Sequence, residues 1–185
     1  MKTQITTGKV RFSYVSVFEP RASYDGQPEK YSVTLLIPKT DKKTLAKIEQ
    51  AIEAAKEAYK AKNPGKKAST KTTLHDGDGE RESGEDFGPE CQGCMVITVS
   101  SKNKPVLVYA DKTPITEETE LYSGCYGRAI INFYAYDTAG SKGVTAGLNG
   151  LMKLEDGEPL AGAVVTDEDW DEDWDDSWDS AGLLD

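Results

Sequence analysis

Tyr126-Gly-Arg-Ala-Ile-Ile-Asn-Phe-Tyr-Ala-Tyr136 alternates between two kinds of side chain. On an extended chain Tyr126, Arg128, Ile130, Asn132, Tyr134 and Tyr136 share one face, and Gly127, Ala129, Ile131, Phe133 and Ala135 share the other. The second face is small and apolar, which predicts packing on a core. The first carries three tyrosines, an arginine and an asparagine, an unusual set for burial. Two readings fit it. Half-buried tyrosines with their hydroxyls in water would make an ordinary mixed strand. Rings beside a cation would make a surface that stacks on unpaired bases and meets phosphates.

The same alternation spreads outward from this stretch. Lys9 to Phe18 reads as a strand through Val10, Phe12 and Tyr14, and its phase slips at Val15 and Val17, which predicts a bulge or sharp bend. Glu19 to Pro28 is a loop punctuated by Pro20, Asp25-Gly26 and Pro28. Lys30 to Ile37 is a second strand, with Tyr31, Val33, Leu35 and Ile37 on one face. A long helix follows: Thr40 or Asp41 can cap it, Leu45, Ile48, Ile52, Ala55 and Tyr59 recur at helical spacing, and Asn63-Pro64-Gly65 stops it. Residues 75 to 90 are acidic and rich in glycine and predict a long mobile loop. Met95 to Ser101 and Val106 to Ala110 are strands joined by the basic turn Lys102-Asn-Lys-Pro105. Asp111 to Tyr122 is a polar connection. Thr138 to Gly143 is a hairpin turn, and the last strand runs from about Val144 to Leu154.

Six or seven strands with one inserted helix and no βαβ alternation predict a mainly β fold. A Greek-key barrel of the OB type fits best, with a β-sandwich as the alternative. The expected organisation is one domain over residues 1–165 and a disordered acidic tail over 166–185. No run of ~20 apolar residues is present, the N-terminus has no apolar signal segment, and the three cysteines form no disulfide framework. The expectation is a cytoplasmic protein with no membrane association.

The net charge of −10 is unevenly placed. The last twenty residues hold ten acids and no base, so the other 165 balance 22 acids against 22 lysines and arginines. Within that neutral body, Lys39 to Lys71 holds ten lysines against Asp41, Glu49, Glu53 and Glu57, the largest basic patch in the chain. An acidic pI therefore does not argue against a polyanionic ligand.

Positive signs of catalysis are missing. Cys91-Gln-Gly-Cys94 has the spacing of half a zinc site that Cys125 and His75 could complete, but no second pair accompanies it, and three buried thiols are the plainer account. Asp76, Asp78, Glu80 and Asp111 could hold magnesium as in a nuclease, yet glycines surround them and a solvated acidic loop explains them. Neither a Walker loop nor a GxSxG elbow occurs, and His75 is the single histidine. The expectation is a non-enzyme with no cofactor or metal.

The aromatic and basic residues make a better case. Phe12 and Phe133 are expected in the core. Lys9, Arg11, Tyr14, Tyr31, Lys102, Lys104, Tyr109, Tyr126, Arg128, Tyr134 and Tyr136 are the expected DNA contacts. Each stacked base contributes roughly 1–3 kcal/mol, nearly regardless of its identity, and the cations add a salt-dependent phosphate term. In the tail, Trp170, Trp174 and Trp178 recur every four residues among acids, before Leu183-Leu184-Asp185. Such a tail either solubilises the chain or acts, since flat rings between negative charges resemble a nucleic acid and could occupy the chain's own groove.

Taken in order, Gly8 to Tyr14, Tyr31 to Pro38, His75-Asp-Gly-Asp78, Ser100 to Pro105, Tyr122 to Tyr126, Asn132 to Tyr136, Gly147-Leu-Asn149 and Asp156 to Leu160 resemble a phage-encoded single-stranded DNA-binding protein family. The resemblance spans essentially the whole chain. It implies an OB-fold with an acidic C-terminal tail and sequence-independent binding of single-stranded DNA in phage replication, recombination and repair. It also implies contacts with replication or recombination proteins through the tail, and it leaves room for a homodimer. The bacterial host's cytoplasm is the expected compartment. The rival readings are a magnesium-dependent nuclease built on Asp76 and Asp78 and a structural or interaction protein of the phage particle.

Overall fold

The computed structural model describes residues 2–22, 26–68, 71–81, 84–138, 141–160 and 170. Its elements are β1 (Gln4–Thr6), β2 (Val10–Arg21), β3 (Lys30–Pro38), α1 (Lys42–Lys62), β4 (Leu74–Asp76), β5 (Cys94–Ser101), β6 (Val106–Tyr109), β7 (Tyr126–Thr138) and β8 (Ser141–Glu155). The stretch that predicted the fold is the body of β7. Its alternation holds: Gly127, Ala129, Ile131 and Phe133 are buried, while Ile130 and Tyr134 are exposed.

The strands close on themselves. β2 pairs with β3, β3 with β5, and β7 with both β8 and β2, all antiparallel. The circuit closes where β5 meets β8 in parallel, Ser100 opposite Gly147, and β6 then continues along the same edge of β8. This five-stranded circuit is an OB-type barrel. β1 and β4 are two further short strands that the sequence did not signal, because three residues are too few for an alternation to register.

Val10, Phe12, Val17, Val33, Leu35, Ile37, Ile97, Val99, Ile131 and Phe133 fill the barrel. α1 lays Ile48, Ala51, Ile52 and Ala55 against that core. Asp41 is the cap: its Oδ1 accepts from the Thr44 amide at 3.1 Å and its Oδ2 from the Thr44 hydroxyl at 2.6 Å. Thr44 Oγ1 in turn accepts the Gly8 amide at 2.8 Å, so one cap fixes both the helix and the turn between β1 and β2. Gly127 is required by close approach. A Cβ there would run into the Met152 carbonyl and come within 2.8 Å of the Phe12 ring.

The phase slip in β2 is a bulge. Ser13 faces Thr34 and Ser16 faces Ser32, so Tyr14 and Val15 together oppose the single residue Val33. Tyr14 takes φ +47°, rare for a non-glycine, and its side chain is 66% exposed. After the bulge the phase is restored and Val17 is fully buried.

The acidic stretch 75–90 is more ordered at its start than the mobile loop expected. Leu74–Asp76 pairs with β5, and Lys39 Nζ sits 2.7 Å from both Asp76 Oδ1 and Asp78 Oδ2. Asp78 Oδ1 also accepts the Gly93 amide at 3.0 Å. Hydrogen bonds from Lys39 hold both carboxyls below the ordinary aspartate range. The ionised clip therefore persists above that range and is lost only as the pH falls through the lowered values.

Two outcomes are expected. Gly127→Ala should destabilise the barrel by about 1–3 kcal/mol through overpacking, read as a fall in the urea midpoint; an unchanged midpoint would show that Phe12 can yield. Lys39→Ala should speed limited proteolysis between β4 and β5 at neutral pH with little change in global melting. An unaltered cleavage rate would mean that the clip does not hold that segment.

Candidate nucleic-acid interface

The barrel's outer face differs at its two ends. At the end marked by Pro38 and Cys94, the outward Leu36 and Val96 are covered by Cys91 in a second hydrophobic cluster that includes Phe87, Cys94 and Leu160. Toward the other end the outward positions are small and polar. Thr34 and Thr98 share a 2.9 Å hydroxyl–hydroxyl hydrogen bond. Next comes a row in register across the strands: Ser16, Ser32, Ser100, Gly147 and Asn132. Five strands spaced ~4.8 Å apart make this a shelf about 19 Å long with almost no side-chain relief.

Aromatic and cationic groups border that shelf. The β2 bulge throws Tyr14 outward at one side. At the other, Tyr134 is 46% exposed, and its ring lies across Gly147, where an added Cβ would sit 3.7 Å from it. Tyr136 packs over Gly143 in the same hairpin. Tyr31, on the other face, pairs with Ser101 at the end of β3 and is half-buried. Lys102 and Lys104 are exposed on the β5–β6 turn, and Lys104 Nζ lies 5.8 Å from the centre of the Phe18 ring. Flat rings around a floor of small hydroxyl residues can take unpaired bases, and the lysines can meet their phosphates.

The remaining expected contacts lie elsewhere. Arg11 is on the covered end, where Nε donates to the Gly124 carbonyl at 3.0 Å and Nη2 to the Glu158 carbonyl at 2.6 Å. Lys9 pairs with Glu155. Both cations also lie over the Tyr126 ring, at 5.1 and 5.4 Å from its centre. Tyr126 shares the outward face of β7 with Tyr134 but stands eight residues away, about 26 Å along the strand. Arg128 donates from Nε to the Thr7 carbonyl at 2.8 Å. It borders an apolar hollow formed by Val106, Val108, Ile130 and Met152. Tyr109 is packed against the core, and burial, followed by Glu120, pushes its phenol up. The geometry thus gathers Tyr14, Lys102, Lys104, Tyr134 and Tyr136 around one shelf, whereas Tyr31 shares the phase of the buried Val33 and Leu35 and lies on the opposite face of β3 from Ser32. The same geometry leaves Lys9, Arg11, Tyr109, Tyr126 and Arg128 outside the shelf, engaged in the fold. A sequence cannot show that a cation is already held by carbonyls distant along the chain.

The serine and glycine floor was not picked out from the sequence, because small residues carry no distinctive signal. Of the tail residues, Trp170 is 78% exposed, whereas Trp174, Trp178, Leu183, Leu184 and Asp185 lie outside the described residues.

The metal readings fare poorly. Cys125 is in the main core, while Cys91 and Cys94 belong to the second cluster, and burial raises all three thiols. Lys39 already sits between Asp76 and Asp78. Among the described residues, no three His, Cys, Asp or Glu side chains are grouped to hold a metal ion.

The sequence profile described as "Enterobacter phage Enc34, ssDNA-binding protein" matches residues 3–180. A protein called p50 from Acyrthosiphon pisum secondary endosymbiont phage 1 is 29% identical over 170 residues, covering 88% of this chain and 89% of its own. The structure of the single-stranded DNA-binding protein from bacteriophage Enc34 in complex with ssDNA superposes with a TM-score of 0.74 at 28% identity, over 86% of this chain and 90% of that one. At 16% identity, gp2.5, a single-stranded DNA-binding protein encoded by bacteriophage T7, shares the fold with a TM-score of 0.58 over 95% of this chain and 97% of its own. With a profile that spans nearly its whole length, the chain belongs to the Enc34 family of phage single-stranded DNA-binding proteins.

Proposed function

We propose that the protein binds single-stranded DNA irrespective of sequence, without catalysis, and protects it during phage replication, recombination and repair in the cytoplasm of the bacterial host. The observation that carries this reading is Tyr14. A tyrosine held at φ +47° on a bulge and left 66% exposed beside a shelf of small polar side chains has no packing role to explain it. Strained backbone that delivers an exposed side chain is a mark of a working surface. A structural relative is described as a complex with ssDNA, which supports the choice of ligand.

The acidic tail is proposed to compete for this surface and to recruit replication or recombination proteins. Its ten acids and three tryptophans offer the alternation of charge and ring that the shelf is suited to take. Competition by a tethered tail of this composition would be strongest at low salt, where charge attraction is least screened.

Titration with a poly-dT oligonucleotide tests the reading. Tyr14→Ala and Tyr134→Ala should each cost about 1–3 kcal/mol of binding, roughly 5- to 150-fold in Kd, with the melting temperature little changed. Full affinity in both variants would mean that the shelf is not the site. Deleting residues 166–185 should tighten binding and flatten part of its salt dependence, and unchanged or weaker binding would count against competition. Cleavage of the oligonucleotide on adding magnesium would favour the nuclease instead. No affinity at all would favour a particle protein.

A further inference from the structure

The lysines of α1 are the largest basic feature of the chain, and the shelf makes no use of them. The last of them, Lys62, together with Lys66 just beyond the helix, borders a second depression. Between the C-terminal half of α1 and the outer part of β7 runs a groove of about 520 Å³, lined by Tyr59, Lys62, Asn63, Lys66, Asn132 and Tyr134. Tyr134 and Asn132 are also shelf residues, so the two depressions are continuous across one strand.

The groove's charge is uncommitted. Lys56 and Lys60 are spent on Glu53 and Glu57. Among the described residues, Lys62, Lys66 and Lys67 have no acid within ion-pair distance. The acid in the groove is Asp137, which accepts from the Tyr59 hydroxyl at 2.8 Å and lies 3.8 Å from Lys142 Nζ. Helix ends favour cations for their own sake, which accounts for Lys60 and Lys62 in the last turn of α1. It does not account for Lys66 and Lys67, which follow the Asn63 cap. Nor does it explain why Lys62 and Lys66 line the same groove as two tyrosines.

We infer that this groove is a second subsite for the single strand, receiving the backbone phosphates of DNA that leaves the shelf at Tyr134. Tyr134 turns the strand, Lys62 and Lys66 neutralise its phosphates, and Tyr59 and Asn63 offer ring and amide to the sugar and base. This deepens the single-stranded DNA reading and rests on it. An occupant rich in acids, such as the chain's own tail, is the competing possibility.

The test compares the full-length wild type with the Lys62→Ala/Lys66→Ala double variant on a ladder of dT oligonucleotides from about 5 to about 30 nucleotides, at several salt concentrations. Removing two phosphate contacts should make the salt slope shallower by roughly 1.4 and weaken long oligonucleotides by on the order of tenfold per contact near 50 mM salt. The shortest oligonucleotides, which the shelf alone can hold, should bind as they do to wild type. Lys62→Arg/Lys66→Arg should restore the long-strand affinity. An equal penalty at every length, no penalty at any length, or tighter binding by the alanine variant would overturn the groove assignment while leaving the shelf intact. Failure of the wild type to bind any dT oligonucleotide would instead overturn the single-stranded DNA reading itself.

Discussion

β8 is paired with β7 along almost its whole length, and its other edge meets β5 at Gly147 and then β6 from Gly150 to Lys153. That double engagement closes the barrel and gives its central backbone groups partners within the sheet. It also locks the phase of β7. A one-residue slip would turn Ile131 and Phe133 outward and the tyrosines inward. The core side chains and the tyrosine face are therefore two results of a single register. The contact between Gly127 and Phe12 holds that register where β2 joins β7.

Closure alone would leave β2 with a regular alternation and Tyr14 directed at the core. The extra residue opposite Val33 breaks the alternation once and restores it by Val17. In this way one strand buries Phe12 and Val17 and still places a ring on the outside. The cost is a residue in a sparsely populated backbone region, of order 1–3 kcal/mol. The barrel tolerates it because β2 remains hydrogen bonded on both sides of the bulge.

Much of this was legible in the sequence wherever a regular period is long enough to register. The alternation of Tyr126 to Tyr136, the apolar face of Tyr31 to Ile37 and the helical spacing from Leu45 to Tyr59 all reappear as elements, and the slip at Val15 marks the bulge. The family resemblance read from ordered short motifs agrees with the profile match. What stayed hidden depends on contacts far apart in the chain. Lys39 and Asp76 meet only because β4 lies beside β5. Arg11 and Arg128 look like free cations in the sequence, yet the fold occupies them with the carbonyls of Gly124, Glu158 and Thr7. Composition names the residue types of a binding face, and only the fold decides which of them remain available.

That selection also resolves the acidic charge. At the covered end of the barrel the cations already have acids: Lys9 with Glu155, Lys39 with Asp76 and Asp78, and Lys153 with Glu120 and Asp156. Burial alone would lower the affinity of Lys153 for its proton, but the two carboxylates outweigh it and raise it instead. Lys102 and Lys104 beside the shelf, and Lys62 and Lys66 beyond Tyr134, have no such partners among the described residues. Charges more than about 8 Å apart are largely screened in physiological salt. The net charge of −10 belongs to the last twenty residues, and the remaining 165 balance 22 acids against 22 bases, so the shelf sits on a neutral body with these lysines beside it. Pairing acids with bases at one end leaves the other end positive, and a chain with an acidic pI can thus present a surface to a polyanion.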